Sequence, residues 1–567
     1  MVLTKAMEEI RNVLSNNDKQ NTAKQAEMIA TYNLSMCTSE DIAQIIVPFI
    51  DRLLNNVEHR QDAFHILDNL LLKLPIELVQ EKSVLWCRHC ISDKPFTALQ
   101  LSVLIKMIQV CHGVKDFDSH LTQHFAEIIH ACLSKQPCDD IRKKLDCVTL
   151  CVTYYPKMFA QFRNEIENTL SFYLSSSCAR DVIKKVGTLF HTLQEVPIVN
   201  QSNLQQNWTA QFYKLCSTIN HLYDDFLEGF EFHRHNYSEE VPPFDDVYLT
   251  VYSSDKVGQF VQVYNQLRNL VVFATCMLET RFSQPKKLKI SVVMDVLQRG
   301  LTVETYEKKE PPLEHGIVTV LQRHQIDLLH LFRALITCFS KQLLPLSARI
   351  TKLIVTCQEL SQRACFPRNS EYHVALYELM SRWVVLSHND GDVIPFNKII
   401  PLLLLEITPT NASDMLCLNK SAKSSAYTAQ KMQNILRSQK IEDRSLQIDE
   451  RACTVILKAL TCMMSTVELG LNEANINALF QVLVQVIEAI QRGNISHPYT
   501  NQECVAALYK AFASLFMQEY YRRRPFYELA INILRDGQNC DVKNDFRITY
   551  VIMEALQIIT SMCRSAS

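Results

Sequence analysis

The sequence predicts an all-α fold, an irregular α-solenoid of HEAT- or armadillo-like helical repeats. Three observations predict it. Apolar residues recur at three- and four-residue spacing along nearly the whole chain, which lays an apolar stripe on one face of a helix. Glycine is scarce, 10 in 567 residues, where an average protein uses about 7%; the turns of a sheet protein consume glycine. Proline falls between the periodic segments, where a helix must stop or start.

The elements follow in chain order. "TSEDIAQ" (38–44) places a Thr before an acidic first turn, as an N-cap does, and "IAQIIVPFIDRLL" (42–54) carries the first clear stripe. Pro75 and Pro156 separate the helical segments of the first third. "HQIDLLHLFRALITCF" (324–339) is a second strong stripe, closed by Pro345. "INALFQVLVQVIEAI" (476–490) is a third, followed by Pro498. "TNQECVAAL" (500–508) repeats the cap signature and opens a helix predicted over 501–521, with Val505, Leu508, Phe512 and Leu515 on its core face. Pro525 suits the first turn of the next helix at 526–534. Each helix pair takes roughly 35–45 residues, the unit size of HEAT and armadillo arrays. Neighbouring pairs share a core and terminal pairs act as caps. Polar, proline-containing breaks occur at 232–246 and 304–316, and a long one at 408–446. They divide the chain into blocks 1–230, 250–407 and 447–567, with 408–446 as a flexible loop.

Composition narrows the class. The chain is 47% hydrophobic and 21% charged, with a formal net charge of −2. A protein whose main partner is bare nucleic acid usually carries a basic excess, so any phosphate contact here is a local patch. The segment "MVLTKAMEEIRNVL" lacks the apolar core of a signal peptide. No stretch reaches the ~20 apolar residues that span a bilayer. The 20 cysteines stand mostly isolated in apolar helical stretches, for example Cys216, Cys276, Cys338, Cys462 and Cys563. They read as reduced, buried thiols of a cytosolic or nuclear protein.

Several motifs invite a chemical reading. "WCRHC" (86–90) holds Cys87 and Cys90 around His89. A zinc site needs four ligands, and the nearest others, Cys111 and His112, are adjacent in sequence. Cys87 and Cys90 therefore read as two thiols on one helix face. His233 and His235 in "FHRHN" lack a third ligand and read as a solvated loop. "LDNLL" (67–71) fits an L-x-x-L-L box, which docks by its leucines in a nuclear-receptor groove; a helix facing its own core with Leu67, Leu70 and Leu71 has the same spacing. "QPKKLK" (284–289) is a short basic cluster that suits nuclear import. "QEYYRRRPFYE" (518–528) sets Arg522, Arg523 and Arg524 among aromatics. Arginine and aromatic side chains bind phosphate and stack on bases, yet basic residues also favour a helix C-terminus. The stretch reads foremost as a helix junction whose arginines remain candidates for RNA or an acidic partner. No phosphate-binding glycine loop, nucleophile elbow or zincin motif occurs, and no constellation supplies nucleophile, base and oxyanion donor together. The chain reads as a non-enzyme without cofactor or metal.

"HPYTNQECVAALYKAFASLFM" (497–517) resembles a stretch of the proline-, glutamic acid- and leucine-rich protein family, the animal counterpart of the fungal Rix pre-ribosomal factor. "LDCVTLCVTYYPKMFAQFRNEIENTLSFYL" (145–174) is similar to the same family, as are "WCRHCIS" (86–92), residues 326–354, 372–386 and "LLLLEITPT" (402–410). These segments occur in family order and cover most of 80–565. The family's acidic, proline-rich tail is not part of this sequence, so the histone and SUMO-pathway contacts assigned to that tail are not carried over. At 522–524 the family shows a proline-rich link, so the arginine triplet is not carried over either. The resemblance implies a nucleolar and nucleoplasmic scaffold that matures the large ribosomal subunit. It implies as partners a WD-repeat propeller protein, a helical-repeat Ipi-type protein, a midasin-type AAA ATPase and the pre-large-subunit particle, and self-association into a homodimer. Two other readings of a helical array stand beside it: a karyopherin-like transport receptor, and a receptor coactivator acting through the one L-x-x-L-L box.

Overall fold

The structure, a computed structural model, describes residues 42–92, 94–133, 141–197, 203–227, 256–303, 313–361, 370–387, 396–408, 450–465, 472–494, 497–516, 524–539 and 546–565. Among the described residues every regular element is helical. The all-α solenoid predicted from the sequence is the fold observed. The chain forms two compact units, Met1–Leu215 with Val241–Leu288, and Cys216–Glu240 with Lys289–Ser567. The breaks at 232–246 and 409–446 lie outside the described residues.

The first unit contains α1 (Val47–Asn55), α2 (Arg60–Leu70), α3 (Ile76–Ser92), α4 (Ala98–Cys111), α5 (Lys115–Gln123) and α6 (Phe125–Leu133). It continues with α7 (Ile141–Tyr154), α8 (Arg163–Leu174), α9 (Arg180–Leu193), the first part of α10 (Leu204–Phe226) and α11 (Lys256–Glu279). One layer stacks α2, α4, α7, α9 and α11 in series, and α1, α3, α5, α6 and α8 flank it. The second unit contains α12 (Ile290–Leu301), α13 (Leu313–Phe339), α14 (Ser347–Ser361), α15 (Ser370–Ser387) and α16 (Phe396–Ile407). It ends with α17 (Glu450–Ser465), α18 (Glu473–Gln491), α19 (Gln502–Leu515), α20 (Arg524–Asn539) and α21 (Phe546–Ser565). Here α13, α15, α17, α19 and α21 form one layer, and each pairs with its predecessor in the other layer, α12, α14, α16, α18 or α20. In this second unit each helix thus packs on its next-but-one neighbour, as a repeat array requires.

Local chemistry sets the helix starts. Thr97 opens α4 with a capping box: its hydroxyl accepts from Gln100 N (3.2 Å) while the Gln100 side chain accepts from Thr97 N (2.7 Å). Asn472 accepts from Ala474 N (3.0 Å) at the start of α18. Asn501 accepts from Glu503 N (2.8 Å) at the start of α19. Val505, Leu508, Phe512 and Leu515 of α19 are all buried. The helix ends at Leu515, short of the predicted 521.

The three tryptophans are buried, and each indole N–H finds an acceptor. Trp86 donates to Asp51 Oδ1 (2.8 Å) and Trp383 to Thr351 Oγ1 (2.9 Å). Trp208 donates to His191 Nδ1 (3.3 Å), which fixes that nitrogen as the acceptor. The proton of His191 therefore sits on Nε2, facing the Arg281 carbonyl at 3.1 Å. Burial pushes the His191 pKa down to about 4; the carbonyl opposes the shift and the nearby Lys286 charge adds to it. In the second unit, His324 Nε2 lies 2.8 Å from the Tyr223 hydroxyl, and burial pushes its pKa down to about 3.

Both histidines make acid destabilising. Above pH ~6.5 the ring is neutral in folded and unfolded chains alike. As pH falls below that value, only the unfolded chain takes up the proton, so stability is lost towards the folded-state pKa. Going from pH 7 to pH 5 costs each unit about 2 kcal/mol from its histidine. Thermal melts across this range check it: His324→Gln flattens the acid limb of the second unit, and an unchanged limb refutes the assignment.

Candidate interaction surfaces

Leu67 and Leu70 are 0% exposed and Leu71 is 1% exposed. The L-x-x-L-L box lies on α2 and at its C-cap, and α2 packs between α1 and α4. Its polar position, Asp68, is held by the Lys106 ammonium of α4 at 2.6 Å. The three leucines would have to leave the core to enter a partner's groove. The exposed apolar residues at this corner are Leu72 and Ile76, which periodicity did not single out.

Arg522 and Arg523 lie outside the described residues. Arg524 is the first residue of α20, with Pro525 in the first turn, so this arginine begins the following helix rather than ending the preceding one, which closes at Leu515. The core face of α20 is Tyr527, Ala530, Ile533 and Leu534.

Cys87 and Cys90 both lie buried on α3. Burial pushes the Cys87 thiol up to about 12 and the Cys90 thiol well above its usual range. A nucleophile must be a thiolate, and burial here favours the neutral thiol. Cys111 is also buried, and burial pushes it up to about 11. His112 stacks on Tyr154, ring centroids 4.4 Å apart. His233 and His235 lie outside the described residues. Among the described residues no three His, Cys, Asp or Glu side chains are placed to hold a metal ion. None of the described helices is long and apolar enough to cross a membrane.

All but the last residue of the basic cluster "QPKKLK" belong to a strap, residues 280–288, that runs from the end of α11 over the start of α10. Phe282 is buried against Trp208 and His191, centroids 5.9 and 5.7 Å away. Ser283 N donates to Glu195 Oε1 (2.8 Å). Gln205 Nε2 donates to the Pro285 carbonyl, and Thr209 Oγ1 donates to the Lys287 carbonyl at 3.0 Å. Lys286 turns inward: its ammonium caps α11 through the carbonyls of Leu278 (2.8 Å) and Thr280 (2.6 Å), and it lies 5.6 Å from the Trp208 ring centre. The strap is ordered by partners some eighty residues away, and a sequence reading sees only a basic linker.

The last described helix, α21, has two apolar faces. Ile548, Ile552, Ala555 and Ile559 are buried, while Phe546 (83% exposed), Tyr550 (58%), Met553 (57%) and Ile558 face outward. This second face also escaped the sequence reading, because a helix apolar on both sides shows no single stripe.

No protein-family model and no curated protein matches the chain. Among solved structures, a chain of the Rix1–Rea1 pre-60S particle, in its Rix1 subcomplex, is similar in fold: TM-score 0.62 at 13% identity, covering 94% of this chain and 96% of that one. Importin beta matches with TM-score 0.42 at 10% identity, over 99% of this chain and 68% of its own. Kap121p matches with TM-score 0.34 at 10% identity, over 100% of this chain and 60% of its own.

Proposed function

We propose that this chain is a non-enzymatic scaffold in large ribosomal subunit biogenesis, acting in the nucleolus and nucleoplasm. The observation that carries the reading is the end-to-end likeness to a chain of the Rix1–Rea1 pre-60S particle, over 94% of one chain and 96% of the other. The ordered set of sequence segments between 80 and 565 supports it independently. A long array of helices offers extended surface to several partners at once, and interfaces rather than a cleft then carry function. The partners in this reading are a WD-repeat propeller protein, an Ipi-type helical-repeat protein, a midasin-type AAA ATPase and the pre-large-subunit particle. A second copy of the chain completes the assembly.

A tagged pull-down from nuclear extract at moderate salt, read by mass spectrometry, tests this. The expected recovery is the WD-repeat protein, the AAA ATPase and large-subunit precursors. Recovery of transport cargo with a small GTPase, and no pre-ribosomal material, overturns it. Arg522→Glu with Arg523→Glu and Arg524→Glu then asks whether the junction contributes: selective loss of the RNA-containing particle assigns it a contact, and unchanged recovery leaves it as a helix junction.

A further inference from the structure

Between the strap and α10 lies an open groove of about 570 Å³. Asn203, just before α10, and Gln206, Ala210 and Tyr213 on it form one wall, at spacings of three, four and three residues. Lys287 of the strap lines the other wall. Ten residues of helix are about 15 Å long, which matches an extended peptide of about four or five residues.

The groove's chemistry is one-sided. No Asp or Glu occurs between Pro197 and Leu215, or between Thr280 and Leu288, while these stretches carry Lys214, Arg281, Lys286 and Lys287. The nearest carboxylate in sequence before α10, Glu195, is occupied by the Ser283 N–H. Lys286 is spent on the α11 cap, so Lys287, which is exposed, is the charge offered inside the groove. The carboxamides of Asn203 and Gln206 supply donors and acceptors of the kind a peptide main chain needs. The Asn203 oxygen already accepts from Gln205 N and Gln206 N (3.1 and 3.3 Å), which leaves its N–H groups to donate. The strap wall is held in place by Gln205, Thr209 and Lys286 before any ligand arrives, so binding loses little ordering entropy there.

We propose that this groove binds an extended, acidic peptide segment of a partner protein, its main chain along the amides of α10 and a carboxylate on Lys287. A nucleic-acid backbone fits less well. Its affinity grows with the number of phosphates neutralised, and here a single lysine lines the groove of a chain with net charge −2. The inference is independent of the ribosomal reading, because a purified chain and a synthetic peptide test it without any particle.

The experiment is fluorescence anisotropy on the full chain with a fluorescein-labelled octapeptide of glutamate, aspartate and leucine. Saturable binding is expected. Lys287→Glu weakens it by about tenfold, and the uncharged change Gln206→Ala by about threefold. Lys352→Glu, an exposed site in the other unit with the same charge change, leaves it within error. Three outcomes overturn the proposal: no binding by the wild-type chain, equal weakening by Lys287→Glu and Lys352→Glu, or tighter binding of a labelled oligouridylate than of the peptide.

Discussion

The double substitution Leu70→Ala with Leu71→Ala is expected to unfold the start of the first unit. Both side chains are buried where α2 packs between α1 and α4. Each truncation removes buried methyl groups and leaves a cavity, which costs about 2–5 kcal/mol per leucine. A domain holds only about 5–15 kcal/mol in reserve, so the pair takes a large part of it. The two sites are neighbours, so their costs are not strictly additive. Circular dichroism melts and limited proteolysis read the effect. If these leucines were a docking box on the surface, the melt would not move and only partner binding would be lost. That result would overturn their placement in the core. Leu72→Ala, at an exposed position one residue on, serves as the control and is expected to change stability by less than about 0.5 kcal/mol.

Arg163→Met is expected to destabilise the first unit by about 2–4 kcal/mol, although Met fills much of the same volume. Arg163 starts α8, and its guanidinium is buried beyond the C-terminus of α9. It donates to the carbonyls of Leu193 (2.9 Å) and Val196 (3.0 Å) and to the Gln194 side-chain oxygen (3.1 Å). A fourth bond reaches Glu167 Oε1 at 2.8 Å. The last carbonyls of a helix have no partner within it, and a cation there also opposes the negative end of the helix dipole. Removing the fork takes the guanidinium from the Val196 carbonyl, at about 1–3 kcal/mol for a buried unsatisfied acceptor, while Leu193 O keeps the Val196 N–H (3.1 Å) and Gln194 Oε1 keeps the Asn207 Nδ2–H (2.9 Å). Arg163→Lys recovers only part of the loss, because an ammonium cannot span the same forked geometry. A denaturant midpoint for Arg163→Met within about 1 kcal/mol of wild type would show that the Val196 carbonyl finds water instead.

These two sites also show where a sequence reading stops. Leu67, Leu70 and Leu71 have the spacing of a docking box and of a core stripe, and the two are indistinguishable within one helix. Arg163 is one arginine among many in the sequence. Its four acceptors include three at 193–196, about thirty residues on, and no local pattern connects them. The strap at 280–288 is similar: it reads as a basic linker, yet Trp208, Gln205 and Thr209 hold it. The Asn501 cap and the buried face of α19, by contrast, were legible, because a cap and its helix lie within a few residues of each other.

The sequence by itself determined the class of this protein. Scarce glycine, proline between segments and apolar spacing of three and four residues fix helices, and those properties act over one or two turns. Tertiary structure alone decided which surfaces remain for partners. It buried the leucine box, turned Lys286 inward and Lys287 outward, and left the second face of α21 exposed. The physical reason is range. Helix propensity, caps and stripes are set by neighbours along the chain, whereas burial and hydrogen-bond satisfaction are set by whichever helix the fold brings alongside.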